Sequence, residues 1–292
     1  MLQVVRVIFS FVVALMFVGC DVVDLKGLIA PTGEVVNVRF EKSMTLNNGK
    51  AKSVVDADKT YLFYVCADPH LNTSYNNLRE FSTLLRNDSK ARFGVILGDC
   101  TNPRDILSYY MEAIEFVPQD QAAHTPIFSV LGNHDLYFDG WKEFYQMLGA
   151  SVYWFDVKYE SGCDLFICID SASGTLGKKQ MKWLREFLAT ERDKYRHCVV
   201  LTHTNLFYTD NSQTGSGNMA LEETAALTEL FSRHKVTLCL QGHDHYREDL
   251  TLDGVRYTIV GTIRDESDKA EYLKVSVSDE GVEYSWENIG RR

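Results

Sequence analysis

From residue 60 onward, short and continuously apolar runs alternate with segments of helical periodicity, and few folds accept that pattern. Tyr61–Cys66 precedes a helical stretch at Asn76–Arg86, Phe93–Leu97 precedes Arg104–Phe116, and Pro126–Leu131 precedes Gly140–Leu148. Asp164–Ile169, Cys198–Thr202 and Val236–Leu240 are further strands, set around helices near Lys178–Ala189 and Ala220–His234. Unbroken apolar strands between helices predict an α/β fold in which sheet faces are covered. Tyr246–Asn288 is mainly strand-like, with a turn at Asp253-Gly254. In the helix near residue 183, Trp183, Leu184, Phe187 and Leu188 share one face, so Trp183 is expected to pack rather than bind. Residues 21–57 are expected to form a linker and a short β element. Asn37–Phe40 alternates like a strand and Asn47-Asn48-Gly49 reads as a turn. Residues 58–292 are expected to form the main domain.

The chemistry sits where the apolar runs stop. Tyr61–Cys66 leads to Asp68-Pro69-His70, Phe93–Leu97 to Gly98-Asp99, and Phe128–Leu131 to Gly132-Asn133-His134-Asp135. Val199–Thr202 leads to His203, and Val236–Leu240 to Gly242-His243-Asp244-His245. Ligands of open α/β sheets bind beyond the carboxyl ends of strands, so these distant segments are expected to converge. Imidazole, carboxylate and amide donors suit zinc, iron or manganese. Asp68, His70, Asp99, Asn133, His203, His243 and His245 exceed the roughly four ligands that one tetrahedral ion takes. Two ions sharing a carboxylate account for the excess. Such a pair, about 3.5–4 Å apart, can clamp a phosphoryl group and lower the pKa of a bridging water. Gly98, Gly132 and Gly242 are expected to allow sharp turns and close backbone approach at these ends.

In this order, the five motifs resemble those of the calcineurin-like metallophosphoesterases, over about residues 60–262. The stretch from Gly140 to Leu188 is similar to the branch containing phosphodiesterases and relatives of purple acid phosphatases. The resemblance implies a four-layer α-β-β-α sandwich with a dinuclear metal site at the strand ends. It implies that Asp68, His70 and His245 hold one ion, that Asn133, His203 and His243 hold the other, and that Asp99 bridges them. His134 would face the substrate, with Asp135 orienting it through a hydrogen bond. The implied activity is hydrolysis of a small phosphate mono- or diester by hydroxide held between two divalent ions (Mn, Zn or Fe). A catalytically silent binding module, or a nuclease or protein phosphatase with the same core, stays open as an alternative. Asn102 stands where purple acid phosphatases carry a Tyr ligand, and Thr204-Asn205 follows His203 in place of the common x-Pro.

A formal charge of -10, with no Lys/Arg run, argues against a grip on polymeric nucleic acid, which rests on many basic contacts to phosphate. At the amino end, Arg6 precedes an apolar run, Val7 to Gly19, shorter than the roughly 20 residues a spanning helix needs. Residues 1–20 resemble a bacterial lipoprotein signal ending at Cys20, although Phe17 stands where such signals usually carry Leu. An exported protein anchored to a membrane through a lipidated Cys20 is the expectation. Cys100 is expected to be buried. His124, His197 and His234 are expected to be structural or solvated. The polar segment Asn205–Asn218 reads either as a mobile loop or as a rim over the leaving group. Tyr75, Arg104, Tyr137 and Tyr208 are candidate substrate contacts by position.

Overall fold

A computed structural model describes residues 33–71, 74–100, 107–115, 125–208 and 218–290. The signal-like segment with Cys20, together with Asn102, Arg104 and His124, lies outside the described residues, as do residues 209–217 of the polar segment. In chain order the strands are β1 (Ser53–Asp56), β2 (Tyr61–Cys66), β3 (Ala91–Ile96), β4 (Ile127–Ser129), β5 (Tyr153–Tyr159) and β6 (Gly162–Cys168). They continue with β7 (Cys198–Leu201), β8 (Leu238–Gln241), β9 (Glu248–Leu252), β10 (Val255–Ile259), β11 (Glu271–Ser278) and β12 (Gly281–Asn288). The α-helices are α1 (Val36–Asn47), α2 (Asn76–Asn87), α3 (Leu107–Glu115), α4 (Trp141–Met147), α5 (Gly177–Glu191) and α6 (Leu221–Arg233).

The strands form a seven-stranded sheet, ordered β1-β5-β6-β7-β8-β10-β9, and a five-stranded sheet, ordered β12-β11-β2-β3-β4. Their inner faces meet through aromatic rings. Phe63 stacks on Phe93 at 4.8 Å, Phe128 on Phe155 at 3.8 Å and Phe155 on Phe166 at 4.9 Å, all fully or almost fully buried. Helices α2 and α3 cover the outer face of the smaller sheet through Leu78, Phe81, Leu85 and Tyr110. Helices α5 and α6 cover the larger one through Leu184, Leu188, Leu227 and Phe231. Apolar area is therefore removed from water on both faces of both sheets, and the four-layer α-β-β-α sandwich is the result. Trp183 packs among Phe40, Trp154 and Phe187. Asp253 and Gly254 take φ of 48° and 81° in the β9–β10 hairpin, and Asn48 and Gly49 take 50° and 65° after α1.

The strand-like reading of Asn37–Phe40 is corrected: these residues lie in helix α1. The buried residues of α1 are Val36, Arg39, Phe40 and Ser43, a helical spacing. Two of those four are polar, which broke up the apolar periodicity and left only the Val-x-Val-x-Phe alternation visible. The segment read as linker and short β element thus supplies a helix against α5 and an edge strand, β1, parallel to β5.

Candidate metal centre

Strands β2, β3 and β4 are adjacent and parallel in one sheet, and β7 and β8 are adjacent and parallel in the other. Their carboxyl ends bring Asp68, His70, Asp99, Asn133, His203, His243 and His245 to one place. Asp68, His70, Asp99 and His245 each present a ligand atom within 4.8 Å of the others, and Asp99, His203 and His243 do the same. Asp99 belongs to both groups. Asn133 Oδ1 lies 3.0 Å from His203 Nε2 and 3.0 Å from His243 Nδ1. His70 Nε2 and His245 Nε2 are 2.8 Å apart, and His243 Nδ1 and His203 Nε2 are 3.2 Å apart.

The backbone is bent to make this possible. Asp68, His70, Asp99, His243 and His245 have φ of 52°, 43°, 50°, 77° and 56°, the left-handed region that costs most side chains about 1–3 kcal/mol. Asp, Asn and His enter that region more readily than other L residues do. Gly98, at φ 90°, lets His203 Nδ1 come close: an added Cβ would sit 2.6 Å from that nitrogen. At Gly132 a Cβ would lie 2.1 Å from the Asp99 amide nitrogen, so no larger residue fits without moving the bridge candidate.

Neighbouring groups orient the side chains. His203 Nδ1 contacts the Leu97 carbonyl at 2.7 Å, which turns Nε2 into the cluster. The His134 amide donates to Asp99 Oδ1 at 2.8 Å, and the His243 amide donates to Asp68 Oδ2 at 3.0 Å. Ser171 Oγ accepts from the His203 and Thr204 amides at 3.3 and 2.9 Å, fixing the turn after β7. Thr262 Oγ1 donates to the Asp68 carbonyl at 2.7 Å.

The electrostatics describe a set of lone pairs short of positive charge. Burial alone would raise the Asp99 carboxyl, but His203, His134 and His70 together hold it well below its ordinary value. Burial, reinforced by Asp99, pushes Asp68 well above its ordinary value against the pull of His203. Burial acts to lower His203, yet Asp99 at 3.3 Å and then Asp68 bring it up to about 10. Burial and then His203 lower His243 to about 3, while burial and then His70 hold His245 well down. Imidazole nitrogens facing each other at hydrogen-bond distance, with only nitrogen and oxygen donors around them, fit borderline divalent cations. The residues present therefore suit the two ions that the sequence motifs imply.

His134 occupies the rim. Its side chain is 18% exposed, against 3% for His70 and 0% for His203, and its Nε2 stands 3.8 Å from Asp99 Oδ2. The expected hydrogen bond from Asp135 to His134 is not made. Asp135 Oδ2 instead accepts from the Gly132 amide at 2.8 Å, and His134 Nδ1 has no hydrogen-bond partner among the described residues. The reason is local: the 3-10 turn His134–Asp139 directs the carboxylate back under its own start. Tyr137 Oη accepts from Asn133 Nδ2 at 3.0 Å, and Tyr75 Oη donates to Glu112 at 2.9 Å. Tyr208 is 85% exposed. The polar segment is anchored where it begins: buried Asn205 donates to Asp244 at 2.6 Å, and the Leu206 amide donates to Gln241 at 2.8 Å. Cys100 is fully buried and burial pushes its thiol well up. His197 contacts the Ser278 carbonyl at 2.7 Å, and His234 closes α6. A cavity of about 570 Å³ opens beside His245, walled in part by Arg247, Arg264 and Lys269 together with Glu266 and Glu271.

A family model described as calcineurin-like phosphoesterase matches residues 61–247. No curated protein matches the chain by sequence. Among solved structures, GAP50, the anchor in the inner membrane complex of Plasmodium, superposes with a TM-score of 0.60 at 14% identity, covering 79% of this chain and 85% of that one. A dimetal phosphatase from Danio rerio gives 0.59 at 13% identity, covering 80% of this chain and 98% of that one. The purple acid phosphatase PPD1 from yellow lupin gives 0.60 at 13% identity, with 79% of this chain covered and about half (52%) of the longer plant protein. At these identities the structural likeness speaks to fold.

Proposed function

Because the chain belongs to the calcineurin-like phosphoesterase family, whose chemistry is metal-dependent phosphoester hydrolysis, we propose that it hydrolyses a small phosphate mono- or diester. The observation that carries this reading is the convergence of two donor groups on one shared carboxylate, Asp99. Asp68, His70 and His245 would hold one divalent ion and Asn133, His203 and His243 the other. When bound, such ions supply a water of lowered pKa and positive charge against the phosphoryl oxygens.

The remaining work falls to the chain itself. His134, the most exposed of the cluster's imidazoles that carry the rim, can hydrogen-bond a phosphoryl oxygen or give a proton to the departing oxygen. Asp135 braces the turn that carries His134 through the Gly132 amide. The cavity beside His245 is where we place the rest of the ester, and its mixed charges favour a polar group. Complete donor groups favour an active enzyme over a silent binding module on the same fold. The net charge of -10 favours small esters over polymeric nucleic acid.

We further propose export and lipid anchoring at Cys20, on the strength of the sequence of residues 1–20. Radiolabelled palmitate incorporated by the wild type and lost in Cys20→Ala is the expected outcome; equal labelling of both rejects the anchor. The hydrolytic reading is tested with protein lacking residues 1–20, loaded in turn with manganese, zinc or iron. Paired aryl phosphate mono- and diesters, a phosphopeptide and single-stranded nucleic acid serve as substrates. Turnover of a small ester is expected. Silence on every substrate with both ions bound would return the chain to the binding-module reading, and preference for nucleic acid or phosphopeptide would replace the substrate class.

A further inference from the structure

Strands β7 and β8 run side by side into the centre, and their backbone ladder stops there. Among the described residues, the last backbone bond between the two segments is the Gly242 amide donating to the His203 carbonyl at 3.0 Å. Past that point the chain turns through His243 and His245, with φ of 77° and 56°. Both imidazoles therefore hang on a turn beyond the final backbone rung. Side chains carry the lacing further. The Leu206 amide donates to Gln241 Oε1 at 2.8 Å, and Asn205 Nδ2 donates to Asp244 Oδ2 at 2.6 Å. Asp244 stands between His243 and His245, one candidate donor for each ion, so the second of these rungs takes hold of the turn at its middle.

The direction of the Asn205 amide is settled by its neighbours. A side-chain amide has an acceptor on one end and donors on the other. The Phe207 backbone N–H, which can only donate, reaches Asn205 Oδ1 at 2.9 Å. That contact fixes the oxygen end and leaves the nitrogen end facing Asp244. The Asn205 carbonyl also accepts from the Met219 amide at 3.1 Å, so the residue is held from its own side of the contact. Asn205 and Asp244 are 0% and 1% exposed, and a hydrogen bond to a carboxylate in such a place is strong. Alanine at position 205 would take a partner from both the carboxylate and the Phe207 amide. Aspartate would keep the Phe207 bond and set a second carboxylate against the first.

We infer that Asn205 is a positioning residue for the metal centre, pinning the His243-Asp244-His245 turn to the turn behind His203 so that donors for both ions keep their places. The inference rests on the two-ion reading of the site, and its test separates the two. Chelator-stripped wild type, Asn205→Ala, Asn205→Asp, the exchange variant Asn205→Asp/Asp244→Asn and Leu85→Ala are titrated with manganese alone. Binding is read by calorimetry and by elemental analysis after dialysis, and thermal melting shows that each protein is folded at the titration temperature. Leu85 is buried under α2, against Gly94 of β3 and away from both turns, so its truncation reports what lost stability alone does to affinity.

Overall affinity for the two ions should fall by about tenfold or more in Asn205→Ala and in Asn205→Asp, the range for losing a group that orients a ligand. Leu85→Ala should lower the melting temperature and leave affinity within about twofold of wild type, as a distant, independent site does. In the exchange variant the new carboxylate still accepts from the Phe207 amide and the new side-chain amide donates to it. The same bond then runs in reverse at unchanged total charge, and affinity should return to within about threefold of wild type. Wild-type affinity in Asn205→Ala, an exchange variant no tighter than Asn205→Asp, or an equal loss in Leu85→Ala each overturns the inference while the two-ion reading stands. A wild type that binds fewer than two ions overturns both.

Discussion

Two groups of buried charged side chains lie a short way apart in this molecule, and they are provisioned differently. One is the convergence at the strand ends around Asp99. The other joins α1 to the larger sheet: Arg39 Nε and Nη2 donate to Asp170 Oδ2 and Oδ1 at 2.8 and 2.9 Å, with side chains 1% and 0% exposed. Among the described residues, no side-chain nitrogen or oxygen of Arg39, Asp170, Ser151 or Gln180 is left without a hydrogen-bond partner. Arg39 Nη1 donates to the Glu34 carbonyl at 2.6 Å and Nη2 also reaches Ser173 Oγ at 3.0 Å. Ser151 Oγ donates to Asp170 Oδ2 at 2.9 Å, while Gln180 Oε1 accepts from the Asp170 amide at 2.8 Å. The Asp99 group instead holds imidazole nitrogens nose to nose at 2.8 and 3.2 Å. A buried polar set that is internally saturated holds parts of a fold together; one with surplus lone pairs is built for something that is not protein.

The contrast can be broken by removing one member from each side. Asp99→Ala should abolish metal-dependent hydrolysis of an aryl phosphate, because the residue common to both donor groups is gone. Turnover equal to wild type would remove the basis for calling the site dinuclear. His134→Ala should lower kcat by about 10²–10⁴, the usual contribution of a general acid–base group, while elemental analysis finds the ions retained. Loss of the ions with the rate would reassign His134 to ligand binding.

On the saturated side, Arg39→Ala leaves Asp170 buried without its partner and should cost about 3–5 kcal/mol in urea unfolding. Turnover per folded molecule should survive. A drop in turnover without a drop in stability would show that the two regions are coupled. The smallest effect is in pH. An unfolded imidazole takes up a proton near 6.5, but folded His243 does so only at about 3, so stripped protein should lose stability as pH falls from 6.5 toward 3. His203 acts in the opposite sense: held at about 10, it stabilises below 6.5 and loses that contribution as pH climbs toward 10. Urea midpoints should therefore peak near neutrality, and saturating manganese should flatten the curve. A flat profile in stripped protein would mean that the imidazoles are not held as described.

The same contrast explains what could be read in the sequence. Asp68, Asp99, Asn133, His203 and His243 were visible because each follows an apolar strand, and the rule that parallel strands present their carboxyl ends to ligands does the rest. The Arg39–Asp170 pair was invisible. Its members are 131 residues apart, and each by itself reads as a surface charge. For the same reason α1 looked like a strand, since its buried stripe includes Arg39 and Ser43. Adjacent Asp135 and His134 invited a direct bond that the turn geometry denies. Tyr137 was legible only as a side chain near the site, because its hydrogen bond with Asn133 has no signature in a string of letters.

The left-handed backbone at Asp68, His70, Asp99, His243 and His245 has a consequence for anyone redesigning the centre. Replacing these positions with glutamate, cysteine or methionine, to attract a softer or larger cation, asks each newcomer to accept a conformation it disfavours before it meets the ion at all. The alphabet at these five places is in effect restricted to a few short, locally hydrogen-bonding side chains. Retuning of metal preference in this scaffold should therefore be sought at Asn133 and His203, the two donors outside that set.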